Sequence, residues 1–297
     1  MSRGQIDSMT SFKGGKHAAK SLKCRTVHLS SIVFASIACF AGSLHGQSLD
    51  SLANQIRSGN TEQKRDALSQ IRSLRSNEAS RIAVPALGDK NEMVRATAAS
   101  AVVFLPKSEA NGYLLPLLDD KAEFVRREAV FALGEVGDPA AAAMLIKSLT
   151  QDKSQEVRSA AAIALGKTGN PIAINPLTAI LAQPPSENFE LIRRAAARSI
   201  GQIAQIMQIV SPEVSNSAES SPTRTDRVAM FREASRTLIK VLESAGEADD
   251  TRREAAFALG AIGDRSAEAV LEKYKTSRDS YLADICKQAL LKLHSVE

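Results

Sequence analysis

A ten-residue pattern, V-R-x-x-A-x-x-A-L-G, recurs along the chain and constrains the fold more than any other feature. Its copies, the first and last of them weak, begin at Gln63, Val94, Val125, Val157, Ile192, Thr251 and Leu282. Five of the six intervals between them are about 31 to 35 residues long, and the interval after Ile192 is about twice that. A period of this length predicts stacked helical repeats, each of which buries its apolar face only against its neighbours.

The pattern has the spacing of an amphipathic helix. Its first, fifth, eighth and ninth places fall within one stripe about 100° wide on a helix. In the third copy these core places are Val125, Ala129, Ala132 and Leu133. The two alanines permit close approach by a neighbouring helix, and either Gly134 or Gly137 is expected to end this helix in a left-handed cap.

Shorter apolar runs precede these helices and predict a second helix in each repeat. Three of them are Ala141–Leu149, Ala173–Leu181 and Arg236–Ser244. We name these the A helices and the helices with the ten-residue pattern the B helices. The weak terminal copies are more polar, as end caps of a stack should be. The sequence therefore predicts an all-α superhelix (a solenoid) of about seven helix-turn-helix repeats of ~31 residues over 47–297.

The pattern resembles HEAT repeats, specifically the short, PBS-lyase-like class found in bilin lyases, over roughly residues 50–297. The resemblance implies that B helices line the concave side and that an Asp–Arg ladder joins the layers. The arginines at the second place of the pattern are Arg95, Arg126, Arg158, Arg193 and Arg252. The acids five residues before the first place are Asp89, Asp120 and Asp152.

Two segments interrupt the repeat. Residues 210–227 are rich in Ser and Pro without helical periodicity, which is typical of a mobile insertion. A shorter interruption, Gln183–Asn188, lies in the preceding repeat. Insertions of this kind serve either as binding loops or as neutral linkers, and the sequence leaves both interpretations open.

Residues 1–46 have the organisation of a secretory leader. They hold six basic residues and one acidic residue, and an apolar run, Leu29–Leu44, is followed by small residues. We therefore expect export to the periplasm or the extracellular space, with no membrane span in the mature chain. An uncleaved membrane anchor and an organelle transit peptide remain alternatives. The remaining residues, 47–297, carry equal numbers of basic and acidic side chains, so no nucleic-acid partner is predicted.

Catalytic and metal-binding patterns are not found in the sequence. In deoxyhypusine hydroxylases, which share this repeat, His-Glu pairs of the B helices hold two iron ions; the comparable pairs here are Arg127-Glu128 and Arg253-Glu254, and arginine does not ligate iron. Cys286, the one cysteine after residue 46, falls on a core place and is expected to be a buried, inert thiol. We predict no cofactor and no enzymatic activity; a bilin-lyase-like or other enzyme-associated subunit is the alternative.

The third and seventh places of the pattern lie at about 200° and 240° on the helix, away from the core stripe, and predict a binding groove. They are occupied by Arg127, Phe131, Ser159, Ile163, Arg194, Arg198, Arg253 and Phe257. Exposed aromatic side chains beside arginines are typical of interaction surfaces. For Phe131 and Ile163, packing against the neighbouring repeat is an equal alternative. The predicted function is an exported scaffold or adaptor that binds a protein or peptide of unknown identity.

Overall fold

A computed structural model of the 297-residue chain describes residues 49–209 and 224–294. The chain divides into two units, Met1–Gly46 and Gln47–Glu297, and all described residues belong to the second. The predicted leader, residues 1–46, therefore lies outside the described residues. None of the helices in the described part is both long and apolar enough to cross a lipid bilayer.

The described residues form seven pairs of helices, as the period predicts. The A helices are α1 (residues 49–58), α3 (Asn77–Ala83), α5 (Lys107–Leu114), α7 (Ala142–Gln151), α9 (Ile174–Ala182), α11 (Arg224–Glu243) and α13 (Glu268–Tyr274). The B helices are α2 (Thr61–Leu74), α4 (Glu92–Ala101), α6 (Glu123–Val136), α8 (Gln155–Thr168), α10 (Glu190–Ile209), α12 (Asp249–Ile262) and α14 (Ser280–His294). Each B helix packs against the B helix of the next repeat.

Short 3-10 turns adjoin several A helices. They lie at Val84–Gly88, Leu115–Asp119, Pro139–Ala141, Pro171–Ala173 and Arg265–Ala267, and a further one, Glu187–Phe189, precedes α10. The described part of the chain contains no β-strand. The prediction of an all-α repeat fold is confirmed.

The insertion predicted over 210–227 ends earlier than its sequence suggested. Helix α11 begins at Arg224, so the last four residues of the predicted insertion are helical. The Ser- and Pro-rich part ends before Arg224, and residues 224–227 lead into a run of good helix formers. The rest of the predicted insertion, residues 210–223, lies outside the described residues.

Glycine plays two separate roles in the B helices. Gly137, Gly169 and Gly263 adopt φ values of 60°, 67° and 74° and cap α6, α8 and α12 in the left-handed conformation. The N–H of Gly137 donates to the carbonyl of Leu133 at 3.0 Å. Of the two candidates for the end of α6, the cap is therefore Gly137, and Gly134 lies inside the helix.

The glycine at the tenth place of the pattern permits close contact between successive B helices. A Cβ added to Gly134 would lie 2.9 Å from the Cα of Ala164, and one added to Gly260 would lie 2.8 Å from the Cα of Ala289. Gly166 and Gly201 face Ser199 and Ala258 in the same way. Each of these partners is the eighth-place residue of the next repeat, so from α6 onward a small residue is needed on both sides of the contact.

The core follows the predicted stripe. Val125, Ala129, Ala132 and Leu133 are all buried. Cys286 is completely buried, as expected, and burial raises the pKa of its thiol to about 11. Because the thiolate is the reactive form, this cysteine is inert at neutral pH.

An arginine–acid ladder joins successive repeats, as the resemblance implies. Three of its pairs, which we call rungs, are Arg95–Asp120, Arg126–Asp152 and Arg193–Glu247. In one of them, Arg126 donates to both carboxylate oxygens of Asp152 at 2.8 and 3.0 Å, and to the backbone carbonyl of Asp120 at 3.0 Å. Each arginine thus binds the loop before its own B helix and the acid before the next B helix. At the N-terminal end Lys64 takes the arginine's place and binds Asp89 at 2.6 Å.

Two of the expected rungs are not formed. Arg158 makes no ion pair with a described residue: Gln183 and two prolines directly follow α9, and Glu187, five residues before the next first place, is exposed. Arg252 donates to the backbone carbonyl of Leu242 at 3.1 Å, and its neighbour Arg253 binds Asp279 of the next repeat at 2.9 Å instead.

The rungs determine the protonation of their acids. Burial of Asp152 disfavours its charged form, but the hydrogen bonds from Arg126 and from the backbone N–H of Ser154 outweigh burial and hold its pKa below the usual range. The same balance of causes lowers the pKa of Asp120. The carboxylates are therefore charged in the folded chain at neutral pH.

The close helix contact predicts opposite effects for one substitution at two glycines. Gly260→Ala should lower the free energy of unfolding by about 1–3 kcal/mol, because the new methyl group would overlap Ala289 and separate α12 from α14. Gly112→Ala, within α5, should raise it by about 0.5–1 kcal/mol, since nothing lies within 4 Å of the new Cβ and alanine favours the helix. Urea unfolding measures both. Equal effects would show that the B helices do not need the close contact.

The ladder predicts loss of stability in acid. Because the folded state lowers the carboxyl pKa values, the unfolded chain takes up protons first, and stability should fall as pH decreases below about 4.

Asp152→Asn should lower the free energy of unfolding by about 3–5 kcal/mol at pH 7, since it leaves Arg126 buried without its acid. The difference in free energy of unfolding between this variant and the unmodified chain should shrink as pH falls through the pKa that Asp152 has in the folded chain. Asp119→Asn, at an exposed carboxylate, is the control and should cost less than about 1 kcal/mol. A pH-independent difference for Asp152→Asn would contradict this role.

Candidate functional site

A groove of about 650 Å³ crosses four successive B helices, α8, α10, α12 and α14. Its apolar lining residues include Ile163, Leu191, Ala195, Phe257, Tyr281 and Ile285. Its charged lining residues are Arg194, Arg198, Asp250, Arg253, Glu254 and Lys292. We call this surface the B-helix groove.

Five of the eight residues predicted from the third and seventh places line the B-helix groove. They are Ile163, Arg194, Arg198, Arg253 and Phe257. These two helical places therefore point to one side of the stack in the repeats of α8, α10 and α12, as the 200° and 240° directions suggest.

The other three predicted residues lie elsewhere. Ser159 is only 2% exposed, so its assignment to the groove is wrong. Ser159 lies on α8, whose alanines let α6 and α10 approach closely. These neighbouring helices cover the short serine side chain, whereas the longer arginines at the third place of other repeats extend beyond them. Arg127 lies 5.1 Å from the ring centroid of Phe124, and Phe131 is half-buried against the core. Ile163, which does line the groove, is half-buried against the core in the same way, so this burial does not distinguish the two alternatives for Phe131.

Two groove residues were missed by the sequence analysis. Leu191 is 48% exposed and Tyr281 is 72% exposed, and both are large apolar side chains. Each precedes the first place of its copy of the pattern, which puts it at about 260° on the helix, next to the seventh place at 240°. The signal was therefore present in the same periodicity, one place outside the ten-residue pattern.

Ion pairs hold the arginines of the groove. Arg194 binds Asp250 at 2.9 Å, and Arg198 binds Glu254 at 2.8 Å, so both link α10 to α12. Arg253 binds Asp250 at 2.7 Å as well as Asp279. These side chains are partly exposed, so each pair contributes little to stability, about 0–1 kcal/mol, and mainly orients the guanidinium groups.

Phe257 has two roles in this arrangement. Its ring lies over Gly201 of α10, with Cε1 2.7 Å from the position that a Cβ of Gly201 would take. The ring also lines the groove, and Nζ of Lys292 lies 6.0 Å from its centroid. Tyr281, by contrast, extends from the surface beneath Arg253, whose Cζ is 5.3 Å from the Tyr281 centroid.

The described residues include no group of three or more His, Cys, Asp or Glu side chains able to hold a metal ion. Arg253 is paired with two aspartates. The groove has an apolar floor with charged side chains along it.

The two aromatic residues of the groove should respond differently to removal. Phe257→Ser should lower the free energy of unfolding by about 1–3 kcal/mol, because the ring packs on Gly201 between α10 and α12. Tyr281→Ser should change it by less than about 1 kcal/mol, since the ring is largely exposed. Thermal or urea unfolding measures both variants. If Phe257→Ser were as stable as Tyr281→Ser, the ring would have no structural role.

Comparisons with known proteins agree with this architecture. Residues 112–201 match the family model of HEAT repeats, and residues 251–276 match the model of the PBS lyase HEAT-like repeat. No curated protein has a sequence that matches this chain.

Solved structures provide a further comparison. The archaeal HEAT-like repeats protein from Thermococcus onnurineus NA1 is similar with a TM-score of 0.53 at 12% identity, covering 83% of this chain and 97% of that chain. The complex of CpcE and CpcF of phycocyanin lyase from Nostoc sp. PCC7120 is similar with a TM-score of 0.48 at 23% identity, covering 84% of this chain and 89% of that chain. Human deoxyhypusine hydroxylase in complex with glycerol is similar with a TM-score of 0.40 at 18% identity, covering 86% of this chain and 99% of that chain. The chain thus carries HEAT repeats over residues 112–201, a repeat of the PBS-lyase-like class over residues 251–276, and an α-helical solenoid fold.

Proposed function

We propose that this HEAT-repeat chain is a scaffold or adaptor that binds a protein or peptide segment in the B-helix groove. The main support for this proposal is that two large apolar side chains, Leu191 and Tyr281, are exposed on the rim of an apolar groove. Large apolar groups that stay exposed beside a concavity are typical of interaction sites.

The composition of the groove supports a polypeptide ligand. Tyrosine and arginine are enriched among residues that contribute most to binding energy, and the groove contains Tyr281 together with three arginines. The ion pairs hold Arg194, Arg198 and Arg253 in place before binding, which reduces the side-chain entropy lost when a ligand is bound.

The charge of the groove indicates the chemistry of the partner. Four basic and two acidic side chains line it, so its local charge is positive although the repeat domain as a whole is neutral. Complementary charge favours a segment that inserts apolar side chains and carries acidic residues beside them.

The proposal also includes a non-catalytic role and export. A non-catalytic role rests on the sequence, which lacks a nucleophile–base pattern. Export is supported by the pattern of residues 1–46 alone.

Selection of peptides on the full-length chain tests the groove. Peptides from a random phage-displayed library should be enriched in apolar residues with acidic neighbours, and a selected peptide should bind the chain in fluorescence anisotropy. Leu191→Ser and Tyr281→Ser should each weaken this binding about tenfold or more, because each removes an anchor contact without unfolding the chain.

Matched controls are available on other surfaces. Leu291 is 70% exposed and Tyr113 is 40% exposed, and neither lines the groove. Leu291→Ser and Tyr113→Ser should leave the affinity unchanged. The proposal fails if the selected peptides bind the Leu191 and Tyr281 variants as well as the unmodified chain, or if the control substitutions weaken binding equally.

A further inference from the structure

A second cavity, of about 410 Å³, lies where the arginine–acid ladder is interrupted. It is enclosed by the C-terminal ends of α7 and α9, the loop that follows α9, and the first residues of α10. Its apolar lining residues are Leu149, Ile180, Pro184, Pro185, Phe189 and Ile192. We call it the ladder cavity.

Arg158 lines the ladder cavity and lacks the contacts that its counterparts make. Arg126, at the same place of the preceding repeat, binds one carboxylate and a backbone carbonyl. The side chain of Arg158 makes no hydrogen bond or ion pair with any described residue, and its Nε is buried. A buried guanidinium nitrogen without an acceptor is costly, because its lost hydration is not replaced.

The sequence of the loop explains why this rung is empty. The acid that closes the other rungs stands just after an A helix, but after α9 that position holds Gln183, Pro184 and Pro185. The carbonyl of Gln183 accepts a hydrogen bond from Arg193, and the prolines bring apolar rings. The acid of this loop, Glu187, five residues before the first place at Ile192, is exposed and forms no ion pair with Arg158, so the rung stays open.

The cavity has a net positive lining. Arg158 and Arg193 both line it, and its lining residues include no Asp or Glu. Arg193 is neutralised by Glu247, which leaves the charge of Arg158 uncompensated. An anion that enters the cavity would thus lie beside the guanidinium of Arg158, which can donate two parallel hydrogen bonds, among mostly apolar side chains.

We propose that the ladder cavity binds a carboxylate that carries an apolar group, and that Arg158 holds this carboxylate as Arg126 holds Asp152. The guanidinium of Arg158 donates to the carboxylate oxygens in a charge-assisted fork. The apolar group of the ligand packs against Pro184, Pro185 and Phe189. The ligand in this way completes the missing rung between α8 and α10.

The ladder cavity and the B-helix groove share no lining residue, so the two proposals fail or succeed separately. The carboxylate has two possible sources, a small organic acid and the C-terminus of a peptide. Both present the same anionic group on an apolar body, and the experiment below distinguishes them.

Calorimetric titration of the full-length chain tests the ladder cavity. The probe for the first source is 3-phenylpropionate, with 3-phenylpropanamide as its uncharged match. The probe for the second is the acetylated peptide Ala-Pro-Phe with a free C-terminus, with its C-terminal amide as the match. At least one acid should bind, each amide should bind about tenfold or more weakly than its acid, and the tighter acid identifies the source.

Substitutions assign the binding to Arg158. Arg158→Gln should weaken binding of the acid about tenfold or more, while Arg232→Gln, at an exposed arginine outside the cavity, should leave it unchanged. Arg158→Gln removes no ion pair, so the variant should fold; Arg158→Lys provides a second variant that keeps the charge but loses the fork. The proposal is overturned if neither acid binds, if an amide binds as well as its acid, or if both Arg158 variants bind as tightly as the unmodified chain.

Discussion

The close contact between successive B helices is the constraint on which the rest of the structure depends. At each contact from α6 onward, a tenth-place glycine meets a small eighth-place residue of the next repeat, as Gly134 meets Ala164. At Gly134, Gly201 and Gly260 an added methyl group would overlap a backbone Cα of the next B helix, and at Gly166 it would overlap the side chains of Ser199 and Gln202. From α6 onward these contacts fix how closely successive B helices approach, and that approach decides which side chains are covered and which remain outside.

The ladder and the groove both follow from this close stacking. Because the repeats stack evenly, the arginine at the second place reaches the acid before the next B helix, as in Arg126–Asp152. On another side of the same helices, third- and seventh-place residues of three repeats come together around Phe257. The interruption at Gln183–Asn188 breaks the ladder at Arg158 without ending the stack, so the fold tolerates one empty rung.

Much of this arrangement could be predicted from periodicity. Helix number, the core stripe and the burial of Cys286 all follow from residues that repeat every 31 positions or so. The predictions for Ser159 and for residues 224–227 were wrong, and Leu191 and Tyr281 were missed. The errors for Leu191, Tyr281 and residues 224–227 concern the edge of a helical face or of a loop. Ser159 lies opposite the core stripe but is covered by the neighbouring helices, which the pattern of one helix does not describe.

The sequence by itself determined the number of repeats, the amphipathic face of each B helix and both members of the rungs Arg95–Asp120 and Arg126–Asp152, because these are local properties that recur with a fixed period. Glu247, the acid of the third rung, lies outside that spacing and was not predicted. Only the tertiary structure decided whether Ser159 is covered, which of Gly134 and Gly137 caps α6, and that Arg158 is left without an acid. These outcomes depend on the distance between neighbouring repeats and on the course of the loop after α9. Neither is a property of one helix, since both arise from contacts between residues of different repeats.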